Sequence, residues 1–149
     1  MTDHIKSWAS GFIDGEGCLR VDLKRAKDGR KRDLYYLPMM TITLREDNAA
    51  AMKAVQIAIE DPGYLFNRGR YAATEKRYVS NPCIECAWKS KSQTMAVVRL
   101  LDEYPLQGKK AAEYVLWREA VMLRKETNPD DGRLEEIRNL LQELKRYHE

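Results

Sequence analysis

Two acids, two residues apart and flanked by glycines, are where side-chain types and spacing in this 149-residue chain first suggest chemistry: Asp14-Gly15-Glu16-Gly17. Glycine adopts backbone angles that other residues avoid and lets a ligand come close to the main chain. A carboxylate on such a turn can offer oxygen to a hard cation such as Mg²⁺, which takes oxygen ligands and completes its shell with water or phosphate. The same composition also makes a plain turn at a helix end, and the residues by themselves leave both readings open. A second candidate is the pair Lys109-Lys110, which opens a helix after Pro105-Leu106-Gln107-Gly108. Cations are disfavoured at a helix N-terminus by its dipole, so the pair either faces a compensating anion or is simply solvated. Cys83-Ile84-Glu85-Cys86 has metal-site spacing, but on a strand residues three apart point to opposite faces, which favours ordinary strand residues. The two histidines, His4 and His148, lie near the ends of the sequence, where the simplest expectation is exposure.

Composition narrows the classes. A chain of this length, 44% hydrophobic and 33% charged, suits one globular domain spanning 1–149. No apolar run approaches the roughly 20 residues of a membrane span, and no signal-peptide layout opens the sequence, so a soluble intracellular protein is expected. The net charge of +3 is unevenly divided. Residues Met1 to Ala112 hold 19 basic against 14 acidic side chains, whereas Glu113 to Glu149 hold 7 against 9. An acidic partner is therefore expected to meet the first three-quarters of the chain.

The elements that must position these groups follow from periodicity. Ile5, Trp8, Ala9, Phe12 and Ile13 fall at helical offsets, so a helix with Asp3 as N-cap runs to about Asp14 and turns that face to the core. A second face carries Ser7, Ser10, Gly11 and Asp14, a stripe of small residues that would let two helix backbones come close. From Cys18 to Lys24 the pattern alternates, with Leu19, Val21 and Leu23 on one face and Arg20, Asp22 and Lys24 on the other. Asp28-Gly29 favours a hairpin turn in a basic loop, returning a strand from Asp33 to Arg45 with Met40, Ile42 and Leu44 inward. Asn48 can cap a helix containing Met52, Val55 and Ile59, which Asp61-Pro62-Gly63 stops. Strands over Tyr64 to Tyr71 and Cys83 to Lys91 follow, joined by a loop containing Lys76 and Arg77. Ser92 can then cap a helix containing Met95, Val98 and Leu101 that Pro105 ends, a further helix covers Lys109 to Lys125, and Leu134, Ile137, Leu141 and Leu144 mark a last amphipathic helix. The order is an α+β layout, αββαββα with a four-stranded antiparallel sheet plus C-terminal helices.

Within that frame, Gly11-Phe12-Ile13-Asp14-Gly15-Glu16-Gly17, with Ala9-Ser10 before it, resembles the signature of the LAGLIDADG homing endonucleases. The αββαββα order of that family fits essentially the whole chain, and the signature occurs once. The resemblance implies a homodimer, because single-motif members act as paired copies, with Ser7, Ser10, Gly11 and Asp14 at a two-fold interface. It implies Glu16 and the Gly15 carbonyl as ligands of Mg²⁺ or Mn²⁺, with Ca²⁺ binding but not supporting cleavage, and no small-molecule cofactor. Asp14 then supports the helix end, and metal-activated water needs no histidine base. Lys109 before Lys110 resembles the family's basic residue near the scissile phosphate. The family's other polar position falls on or near Glu46, with Arg45 adjacent.

The implied partner is double-stranded DNA lying on a curved sheet that acts as a saddle, since an antiparallel ribbon fits the major groove. Arg20, Asp22, Lys24, Thr41, Thr43, Arg68, Arg70, Lys89 and Lys91 are the expected contacts there, with Arg30, Lys31 and Arg32 of the basic loop on phosphates. The activity implied is cleavage of both strands of a long, near-palindromic site. The alternative is a binder on the same scaffold that does not cut, an intron RNA maturase or a DNA-binding regulator.

Overall fold

In the computed structural model, which describes residues 3–25, 34–68 and 82–146, the helical pattern at the start of the chain outlasts its expected end. Helix α1 spans Asp3–Glu16 and passes without a loop into strand β1, Gly17–Arg25. Gly17 makes that junction possible: a Cβ there would lie 2.9 Å from both the Ile13 side chain and the Ile13 carbonyl oxygen. Glu16 is therefore the last residue of a helix, where the sequence suggested a turn beyond one. Ala9 and Ile13 are fully buried as expected, but Trp8 is 39% exposed and stacks on Phe12 instead of entering the core.

Strand β1 pairs antiparallel with β2 (Leu34–Arg45), β2 with β4 (Cys83–Trp88), and β4 with β3 (Tyr64–Arg68), giving the sheet order β1-β2-β4-β3. The register aligns Leu19, Met40 and Trp88 across three strands, and Ile42, Cys86 and Leu65 in the next row. Directly paired residues share a face, so these rows define the core side of the sheet. The expected inward set Met40, Ile42 and Leu44 is buried there.

Four helices cover that side: α1, α2 (Ala49–Ile59), α3 (Lys91–Glu103) and α4 (Lys110–Arg124). Two buried indoles join the layers through main-chain acceptors, Trp88 Nε1 donating to Asp61 at 2.9 Å and Trp117 Nε1 to Met39 at 3.0 Å. The last helix, α5 (Asp131–Arg146), buries Leu134, Ile137 and Leu141 against Val21 of β1 and Ala120 of α4. At roughly 1.5–3 kcal/mol for each buried aliphatic side chain, those three contacts make α5 part of the body and not an appendage. No helix among the described residues is long and apolar enough to cross a membrane.

Two boundaries differ from expectation for local reasons. Strand β4 stops at Trp88 because Ser90 caps α3: its hydroxyl accepts from the Gln93 N–H, and the Gln93 side chain accepts from the Ser90 N–H. This reciprocal cap lies two residues before Ser92 and takes Lys91 out of the sheet and into the helix. Helix α2 begins after Asn48 without a side-chain cap bond, behind a 3-10 turn over Glu46–Asn48. It ends at Glu60 with φ of +64°, and the chain turns through Gly63, where a Cβ would lie 2.8 Å from Cys86 Sγ. Cys83 and Cys86 fall on opposite faces of β4, and burial pushes the Cys86 thiol up to about 11, so this pair offers no joint metal site.

Candidate functional site

The exit of α1 gathers most of the groups that could do chemistry. Glu16 is exposed at the helix C-terminus and lines a cleft of about 410 Å³ with Thr43, Leu44, Arg45, Asp47 and Asn48. The second acid of this cleft is Asp47. Glu46, the residue expected from sequence, lines a separate recess with Arg45, Asp47 and Pro82, and its backbone N–H donates to the Pro82 carbonyl at 2.9 Å. The cause is the 3-10 turn, where successive side chains rotate by about 120°. Arg45 pairs with Asp47 at 3.2 Å, but both side chains are about two-thirds exposed, so the pair is easily exchanged.

The donors at this exit fit a hard cation. A helix C-terminus attracts positive charge, and the Gly15 carbonyl falls among the last four that α1 leaves without an internal partner. Among the described residues no three His, Cys, Asp or Glu converge on one point. One chain would thus supply few protein ligands, which suits Mg²⁺, an ion usually held by one or two carboxylates plus substrate phosphates.

Behind the exit, α1 is tied to the segment between α3 and α4. Asp14 Oδ2 accepts from the backbone N–H of Gln107 at 2.8 Å and of Gly108 at 2.7 Å, and a Cβ at residue 108 would lie 2.9 Å from Asp14 Oδ1. Lys110 Nζ donates to the Asp14 carbonyl at 2.9 Å. Of the lysine pair it is therefore Lys110 whose ammonium reaches the end of α1, while Lys109, the first choice from sequence, is exposed at the N-cap position of α4. Ser10 is 5% exposed and its hydroxyl donates to the Tyr104 carbonyl at 2.7 Å.

Ser10 and Asp14, expected beside Ser7 and Gly11 on an intersubunit stripe, are thus taken up within the chain. The open part of the stripe is Ser7, Gly11 and Gly15, four residues apart and all exposed; a Cβ on either glycine would meet nothing within 4 Å.

The sheet face opposite the core carries Arg20, Asp22, Lys24, Thr43 and, by backbone register, Arg68. Asp22 pairs with Arg20 at 3.2 Å and with Lys24 at 3.6 Å. Thr41 lies on the same face but is only 4% exposed, so it offers a partner little surface. Lys89 is exposed one residue beyond β4, whereas Lys91 belongs to α3. Arg30, Lys31, Arg32 and Arg70 lie outside the described residues. Tyr64 and Phe66, which the sequence reading passed over, share the face through pairing with Ala87 and Glu85; aromatic residues alternating on an edge strand were the available signal.

A helix that ends on an exposed acid, beside an open small face and above an antiparallel sheet, has a counterpart among known proteins. The profile of the LAGLIDADG endonucleases matches residues 9–121. The chain belongs to the LAGLIDADG endonuclease family. A probable intron-encoded endonuclease of Schizosaccharomyces pombe (strain 972 / ATCC 24843), Cox1-I1b, is 22% identical over 144 residues, covering 94% of this chain and 34% of that protein. The LAGLIDADG chain described here thus spans about a third of that relative. Among solved structures, the homing endonuclease I-TnaI superposes with a TM-score of 0.66 at 17% identity over 91% of this chain and 97% of its own. The meganuclease I-SmaMI, bound to uncleaveable DNA, gives 0.72 at 18% identity over 92% of this chain and 43% of its own. At such identities the likeness is one of fold, and the LAGLIDADG fold is what the α+β order shares with them.

Proposed function

We propose that this chain is a homing endonuclease that hydrolyses both strands of a long, near-palindromic DNA duplex, working as a homodimer with a divalent cation. The observation that carries the reading is the position of Glu16: an exposed carboxylate at the end of a helix whose open face is made of Ser7, Gly11 and Gly15. Pairing two copies across that face would bring two Glu16 carboxylates together at the centre of a two-fold assembly, one for each strand.

Glu16 and the Gly15 carbonyl would hold Mg²⁺ or Mn²⁺, with Asp47 in the same cleft as a further oxygen donor. Bound there, the cation would lower the pKa of a water and stabilise charge on the attacking and leaving oxygens. Asp14, through Gln107 and Gly108, keeps the α3-to-α4 segment against the helix end and so presents the basic pair to that side. Lys110 is held on the Asp14 carbonyl, and Lys109 stays free to meet phosphate. The sheet face supplies base contacts from Arg20, Lys24 and Thr43.

The test is cleavage of a randomised or genomic DNA library in Mg²⁺. Wild type should release double-strand breaks at a selected site, and Glu16→Gln should bind that site without cutting it. Cutting by Glu16→Gln would remove the metal-ligand assignment; binding of DNA or intron RNA with no cutting by wild type would favour the binder that does not cleave. Affinity should also fall by several decades over a modest salt range, as expected for about 6 to 10 phosphate contacts.

A further inference from the structure

The solvent face of the sheet is chemically divided. Its β1 side carries Arg20, Asp22 and Lys24 linked by ion pairs. Its opposite side is aromatic: Tyr64, 57% exposed, and Phe66, half-buried, have ring centroids 5.6 Å apart on β3. Beside them stand Ala87, paired with Tyr64, and Glu85, paired with Phe66, whose carboxylate accepts from the Thr43 hydroxyl at 2.9 Å. Lys89 Nζ sits 5.5 Å from the Tyr64 ring, at the rim.

An acid-backed aromatic surface is poor company for phosphate, which Glu85 would repel. Apolar groups presented in a major groove have one natural partner on the base edges, the 5-methyl group of thymine. We infer that Tyr64 and Phe66 are specificity-determining residues that read thymine methyls, with Lys89 at the rim on the adjacent phosphate. This rests on the duplex-cleaving reading above and adds to it which bases this half of the sheet selects. With ring centroids 5.6 Å apart, Tyr64 and Phe66 would reach two thymine methyls that lie close together in one half of the site, repeated by symmetry in the other half.

The experiment selects bound duplexes from a randomised library with the wild-type chain in Ca²⁺, then replaces each thymine of the selected site by deoxyuridine, which lacks only the methyl. Two neighbouring positions per half-site should each lose about fourfold in affinity on losing a methyl-sized contact. Tyr64→Ser should abolish the uracil effect at one and Phe66→Ser at the other, while Tyr64→Phe retains it. Indifference to uracil at every position overturns the inference with wild type alone, whatever the folding of the variants. Uracil-sensitive positions that neither serine variant alters overturn it too, as does loss of single-stranded DNA binding in those variants with duplex preference intact, which would make the patch a stacking platform. Selection of no duplex at all overturns the endonuclease reading on which it stands.

Discussion

The two flanks of α1 use small residues for opposite ends. On the inner flank, Ser10 and Asp14 meet other parts of the chain that press against the helix: a carbonyl on Ser10 and two N–H groups on Asp14. On the outer flank, Ser7 is exposed, and a methyl added at Gly11 or Gly15 would meet nothing within 4 Å. Serine thus marks a filled contact on one side and an open surface on the other. What separates them is whether a neighbour from the same chain has already used the space.

Substitution should separate the flanks cleanly. The largest effect is expected at the end of the outer flank, where Glu16→Gln should lower cleavage by about three decades, the several kcal/mol a bound metal contributes. Its unfolding free energy should stay within about 0.5 kcal/mol of wild type, since the side chain is exposed. Gly17→Val should do the reverse in urea titration, costing about 1–3 kcal/mol through overlap with Ile13. Asp14→Ala, which hands two exposed N–H donors over to water, should cost about 1–2 kcal/mol in the same assay, and Ser10→Ala about 1 kcal/mol. Smallest in stability, and opposite in sign, is Gly11→Ala, expected to stabilise the isolated chain by about 0.5–1 kcal/mol through helix propensity. The bulkier Gly11→Leu should weaken self-association in sedimentation while leaving the melt of the monomer intact; a dimer indifferent to it would place the interface elsewhere.

Much of this arrangement is legible in the sequence. Alternation and helical offsets locate every strand and helix to within a few residues, because each element buries one regular stripe. The misses come where a contact from far along the chain decides. Helical periodicity puts Ser10 and Gly11 on one stripe and cannot say that Tyr104, 94 residues after Ser10, closes over the serine. Lys109 and Lys110 are equivalent as a pair, and only the approach of α1 singles out the second. One 3-10 turn sets Asp47 and not Glu46 in the cleft beside Glu16. Ser92 is the cap the sequence suggests, and Gln93 instead closes a reciprocal cap with Ser90.

The close fit of Gly17 on Ile13 leaves no hinge between helix and sheet. The acid that would mark the cut and the first residue of the strand that would read the bases are adjacent in sequence and sterically keyed to each other. Cutting and reading would then share a single origin, like the zero mark engraved on a ruler. Exchanging side chains along β1 or β3 should change which letters are accepted while leaving their offset from the break unchanged, so that retargeted variants keep the same phase between recognition and scission.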